Sequence, residues 1–148
     1  MANTVKLEIV TPEQHFYRGD VELVIARTLN GDEGFMAGHT WGCKLLDIGE
    51  LWIREPNAEA NTYKLASVGG GFIDIKDSII IYADSIEWKK VVDLPRAEAE
   101  LAEAQEWLKA NEETAPDYEV KHVRNQAKKC EVRIQVAAGG RMNAKNKN

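Results

Sequence analysis

The sequence predicts a β module over residues 1–90, an antiparallel two-helix hairpin over residues 91–138 and a disordered polar tail over residues 139–148. Three observations predict this. Up to about Ala83, β-rich apolar runs recur at intervals of ~8–12 residues and are bounded by turn signals. At Val92–Asp93 the spacing of apolar residues changes to a repeat of three and four, the seam of a helix packing on one neighbour. Two such seams are joined by a short loop, so they can cover each other only by folding back antiparallel.

Taken in order, Val5, Leu7 and Ile9 alternate with Lys6, Glu8 and Val10 until Thr11-Pro12 ends the run. Val21, Leu23 and Ile25 follow Gly19-Asp20 on one face. The segment from Gly31 through Gly34 and Met36 to His39 reads as a long glycine-punctuated loop, either turn geometry or a contact surface. Leu51 and Ile53 follow Gly49, and Tyr63, Leu65 and Ser67 run into Gly69-Gly70-Gly71. That triplet reads as a bulge or turn needing positive φ. Phe72, Ile73 and Ile75 are separated by Lys76-Asp77 from the run Ile79 to Tyr82. A sandwich and a barrel both satisfy this pattern.

In the first helix Leu94, Ala97, Leu101, Ala104 and Leu108 form the seam, with Asp93 as N-cap and Pro95 tolerated in the first turn. Asn111-Glu112-Glu113 closes it, and Thr114-Ala-Pro-Asp117 opens the second helix with a threonine cap. Val120, Val123, Ala127, Cys130, Ile134 and Ala137 continue the pattern until Gly139-Gly140. With four alanines and one cysteine in the seams, little apolar area is buried, so the hairpin is expected to detach easily.

Charge divides the two helices. Asp93, Glu98, Glu100, Glu103 and Glu106 dominate the first, whereas Lys121, Arg124, Lys128, Lys129 and Arg133 dominate the second. Lys121, Arg124 and Lys128 share one face, either a solvated surface or a basic stripe for an acidic partner or phosphate. The net charge of −5 argues against nucleic acid. His15, His39 and His122 fall in three different elements and make no metal cluster. No Ser-His-Asp order with a glycine elbow and no GxxxxGK[ST] loop is present, and Gly69–Gly71 precedes a strand rather than a phosphate-binding helix terminus. Cys43 and Cys130 give no disulfide framework, which fits a reducing compartment. Nothing approaches the ~18 apolar residues of a membrane span, and no signal-peptide pattern opens the chain.

Several segments nonetheless resemble one family. Glu13 after Thr11-Pro12, Gly31-Asp-Glu-Gly-Phe-Met-Ala-Gly-His39, Ile48-Gly-Glu-Leu-Trp-Ile53, Val68-Gly-Gly-Gly-Phe72, Ala83-Asp84 and Val92-Asp-Leu-Pro-Arg-Ala97 occur in the order seen in epsilon subunits of bacterial F-type ATP synthases. The resemblance implies a ten-stranded β-sandwich bound to the gamma subunit and the c-ring at the foot of the central stalk, with Glu33 and His39 at that interface. It implies a non-catalytic rotor subunit coupling F1 to the c-ring during ion-driven synthesis. The hairpin resembles the family's inhibitory arm, whose basic second helix, here Lys121, Arg124 and Lys128, meets acidic loops of the alpha and beta subunits and blocks ATP hydrolysis. No cofactor is required. Mg-ATP is implied as a regulatory ligand through an (Ile/Leu)-Asp-x-x-Arg-Ala motif, matched by Val92, Asp93, Arg96 and Ala97, together with Glu87, Lys129 and Arg133. The implied location is peripheral, on the cytoplasmic face of a bacterial membrane, without insertion into the bilayer.

Overall fold

The computed structural model describes residues 3–59 and 62–141. Among the described residues there are eight strands: β1 (Val5–Val10), β2 (His15–Val21), β3 (Leu23–Thr28), β4 (Gly31–Phe35), β5 (Gly42–Arg54), β6 (Lys64–Ile75), β7 (Ile79–Ala83) and β8 (Ile86–Trp88). A short 3-10 turn, Lys89–Val91, leads into α1 (Leu94–Asn111) and α2 (Asp117–Ala137).

The strands follow one hydrogen-bonded path, β2-β1-β7-β6-β5-β3-β4, with β8 on β6. All pairs are antiparallel except β1 with β7. This path folds into two layers because β5 and β6 are long enough to serve in both. Residues 42–46 of β5 pair with residues 71–75 of β6, which pair with β7, whereas residues 48–53 and 64–69 of the same strands lie beside β3 and β8. The expectation of ten strands is thereby corrected to eight: two continuous strands each occupy a place in either layer.

Between the layers, Leu7, Ile9, Val24, Phe35, Leu51, Ile53, Ile73, Ile75, Ile79 and Ile81 form one core, each fully or almost fully buried. The period-2 alternation of β1 places Val5, Leu7 and Ile9 there. The glycine triplet lies inside β6, with φ of 100° at Gly70 and 138° at Gly71, so its positive-φ reading holds while the strand continues through it. Opposite, β7 and β8 keep one register along β6 and are interrupted only at Asp84–Ser85, which still bond to Gly70 and Gly69.

Two local expectations are corrected. Gly31–Phe35 is a strand paired with β3, where the glycines suggested only a loop. Thr114 does not cap the second helix; Pro116 occupies the cap position without a side-chain hydrogen bond, and the Thr114 hydroxyl lies 3.5 Å from the Asn111 carbonyl. Asp93 does cap α1, its Oδ1 accepting from the Arg96 N–H at 3.1 Å. The helices form an antiparallel hairpin in which Ala97, Ala104, Val120, Ala127 and Cys130 are buried. α2 has a second apolar face: Val132 and Val136 pack on Trp52 and Leu65, flanked by Ile25, Ile48, Tyr63 and Val92. Gly139 to Arg141 of the expected tail dock on the β module, and residues 142–148 lie outside the described residues.

Candidate functional site

Where α1 and α2 lie beside β6 and β8 they leave a cleft of about 310 Å³ lined by Gly69, Ser85, Glu87, Glu100, Lys129 and Arg133, among others. Arg133 is its centre. Its Nε donates to Glu87 at 2.9 Å, and its Nη1 lies 3.4 Å from Glu100. Burial alone would lower the Arg133 pKa, but the hydrogen bond and charge of Glu87, with Glu100 beside it, raise it above its ordinary value. Glu100 also accepts from Arg96 at 3.0 Å and lies 3.9 Å from the Cys130 thiol. Burial pushes the Cys130 thiol pKa up, and the Glu100 charge adds to it.

Three of the seven residues implied for nucleotide binding, Glu87, Lys129 and Arg133, therefore share one cleft. Arg96 joins only through Glu100, Asp93 serves as a cap, Val92 flanks the α2 packing and Ala97 is fully buried in the hairpin. Glu100 links these groups and was not singled out for the site by sequence reasoning. Its signal is faint: it lies four residues after Arg96 on an acidic helix. The two carboxylates of the cleft balance its two cations, and Arg133 is already engaged by both.

The basic stripe is partly engaged as well. Lys128 Nζ lies 3.0 Å from Asp47 Oδ2 on the β module, and Arg124 pairs with Glu112 at the turn of the hairpin. Lys121 is exposed. Burial would raise the Asp47 pKa, yet the Lys128 ammonium and the Ile48 N–H at 2.8 Å together hold it below its ordinary value. A carboxyl depressed in the folded state contributes stability above its unfolded pKa of about 3.9 and loses it as pH falls through the folded value. The Asp47 carboxyl should thus titrate below that range in an NMR-monitored acid titration, and Lys128→Met should move it upward. Both side chains are a third or more exposed, so the pair contributes at most ~1 kcal/mol.

Glu33 and His39 sit at one end of the module. Lys44 Nζ at 2.8 Å holds the Glu33 carboxyl below its ordinary pKa, and the His39 ring lies 5.0 Å from Phe35 with Nδ1 2.8 Å from the Thr40 carbonyl. Met36 and Trp41 beside them are exposed. On the outer face of the other layer, Leu45, Phe72 and Tyr82 are direct cross-strand neighbours on β5, β6 and β7. Phe72 and Tyr82 stack at 4.6 Å, and the three are 61%, 40% and 38% exposed. Together they form a contiguous, largely apolar row open to solvent.

The β module thus carries an arm clasped over one face and an apolar row open on the opposite face. Among the described residues, no group of His, Cys, Asp and Glu is arranged to hold a metal, and no helix is long and apolar enough to cross a membrane. The β-sandwich domain of the ATP synthase delta/epsilon chain matches residues 4–89. The ATP synthase epsilon chain of Alkaliphilus metalliredigens is 37% identical over 109 residues, covering 73% of this chain and 78% of that one. The sodium ion specific epsilon chain of Propionigenium modestum is 40% identical over 106 residues, covering 71% and 74%. In structure, the chain is similar to one in the OSCP/F1/c-ring assembly of Euglena gracilis mitochondrial ATP synthase, with TM-score 0.73, 18% identity and coverage of 91% and 81%. A chain of the Tetrahymena thermophila central stalk and c-ring aligns with TM-score 0.62 at 14% identity, covering 90% and 96%. The chain belongs to the ATP synthase delta/epsilon family, whose epsilon chains are non-catalytic subunits of the rotary complex.

Proposed function

We propose that this chain is a rotor subunit of the central stalk, coupling F1 to the c-ring and restraining ATP hydrolysis through its C-terminal helices. The observation that carries the proposal is the division of labour between the two layers. One presents Leu45, Phe72 and Tyr82 to a partner, for which the gamma subunit is the family's candidate, while the other is covered by the arm. Glu33 and His39, with exposed Met36 and Trp41 near them, extend that docking surface toward the c-ring. The complex would lie peripherally on the cytoplasmic face of the membrane.

In the compact arrangement Lys128 and Arg124 are tied to Asp47 and Glu112. Extension of the arm would break the Lys128–Asp47 tie and offer Lys121, Arg124 and Lys128 to acidic loops of the alpha and beta subunits. Such a switch needs two states of similar free energy, and a small-residue seam supplies that. A regulatory triphosphate entering the Glu87–Lys129–Arg133 cleft would have to displace Glu87 and Glu100 from Arg133.

Reconstituted F1 tests the arm. Removing all residues after Val92 should raise the rate of ATP hydrolysis severalfold while the truncated chain still co-purifies with gamma. An unchanged rate would refute the inhibitory role, and failure of the full chain to bind gamma would refute the rotor role.

A further inference from the structure

The register between β3 and β5 shifts where Ala26 faces Leu51 but Thr28 faces Leu46, so β5 carries extra residues through a bulge. Bulges re-aim side chains, and this one contains Asp47, Gly49 and Glu50. Gly49 is needed there because a Cβ would stand 2.5 Å from the Arg27 Cβ. Glu50 is an anomaly in an apolar stretch: it is only 4% exposed, next to the buried Leu51, Trp52 and Ile53. One of its partners comes from its own strand, the Trp52 indole N–H at 3.0 Å from Oε1. The others come from beyond the end of α2. The Arg141 backbone N–H lies 3.0 Å from both carboxylate oxygens, the Arg141 Nε is 3.9 Å from Oε2, and the Arg141 guanidinium also pairs with Asp32.

We infer that Glu50 and Asp32 form a receptor for the segment Gly139-Gly140-Arg141, a latch that fixes the arm in its compact register. The glycines let the chain leave α2 and press onto the carboxylate: φ is 107° at Gly139 and 80° at Gly140, and a Cβ on Gly140 would stand 2.7 Å from Glu50 Oε1 and 2.9 Å from Trp52. The inference rests on the arm reading above and names the contact that controls it. Glu50 is buried whereas the Arg141 side chain is 44% exposed, so desolvation of the carboxylate offsets most of what the intact contact contributes, but losing it leaves an uncompensated buried charge. The latch thus selects one register of the arm without making that state deep, and its loss disfavours the compact state strongly. Val132 and Val136, the apolar contacts of α2 with Trp52 and Leu65, lie within about two turns of it and should loosen with it.

Hydrogen exchange of the free full-length chain tests this, using Gly140→Ala and Arg141→Glu. Both variants should speed exchange of the last two turns of α2 by roughly tenfold or more, while amides of β1 and β7 keep their protection. Exchange within twofold of the parent in both variants would overturn the latch. Equal loss of protection in β1 and β7 would also overturn it, since the segment would then be a general support of the core. Arg141 is partly exposed near the chain end, so its variant reports even if Gly140→Ala misfolds. In reconstituted F1, Arg141→Glu should lower hydrolysis by releasing the arm. Loosened α2 with unchanged hydrolysis would keep the latch and remove the inhibitory role instead.

Discussion

Replacing Gly71 with alanine is expected to lower the melting temperature of the chain by on the order of 10 °C or more. Gly71 lies at φ 138°, a region essentially closed to residues with a Cβ, and an added Cβ would overlap the Tyr82 carbonyl oxygen on the neighbouring strand. Backbone cannot swing aside as a flexible side chain can. Either β6 straightens and loses its bend between layers, or β7 shifts and the pairing of Gly71 with Ala83 opens. Backbone strain and a displaced strand together cost roughly 3 kcal/mol or more, a large part of the ~5–15 kcal/mol available to such a domain. Gly42 is the control: it has no atom within 4 Å of a built Cβ, so Gly42→Ala should leave the melting temperature nearly unchanged. Thermal unfolding followed by circular dichroism separates the two, and equal midpoints would show that the bend does not depend on Gly71.

The same glycines mark where sequence reading succeeds and where it stops. Strand β1 was legible because Val5, Leu7 and Ile9 alternate with more exposed residues, and the helices because their seams and the Asp93 cap are local signals. Strand β4 was hidden because Gly31 and Gly34 mimic a loop; its pairing is decided by β3, which no local pattern encodes. The length of β5 was hidden for a related reason, since a bulge at residues 47–50 breaks the alternation while hydrogen bonding continues. In the candidate site, Glu87, Lys129 and Arg133 were named through the family resemblance alone, whereas the motif residues Val92, Asp93, Arg96 and Ala97 do not line the cleft. Glu100, and the latch of Glu50 with Arg141, depend on contacts 33 and 91 residues apart in the chain. For Glu50 a signal did exist: a lone carboxylate inside Ile48–Ile53 has to find a partner, and the sequence cannot say which. The second apolar face of α2 was missed because Val132 and Val136 lie off the seam that pairs with α1.

The open face of the module gives the other large effect. Phe72→Glu is expected to weaken binding to the gamma subunit by about 100-fold or more, with the fold intact. Phe72 is 40% exposed and stacks on Tyr82, itself 38% exposed, so the substitution removes little from the core between the layers. In a complex the ring would sit at the centre of the row Leu45–Phe72–Tyr82, where loss of an aromatic anchor typically costs ~2 kcal/mol or more. A carboxylate in its place must also be desolvated without a partner, and the combined ~3 kcal/mol corresponds to the stated factor. Phe72→Tyr keeps the ring and adds a hydroxyl that can reach the rim, so it should bind within a few-fold of the parent. Affinity measured by calorimetry against isolated gamma, with circular dichroism to confirm folding, distinguishes the outcomes. If Phe72→Glu binds as the parent does, gamma docks elsewhere and the apolar row serves another partner. If Leu45→Glu and Tyr82→Glu weaken binding alongside it, the three strands act as one interface, as their shared register requires.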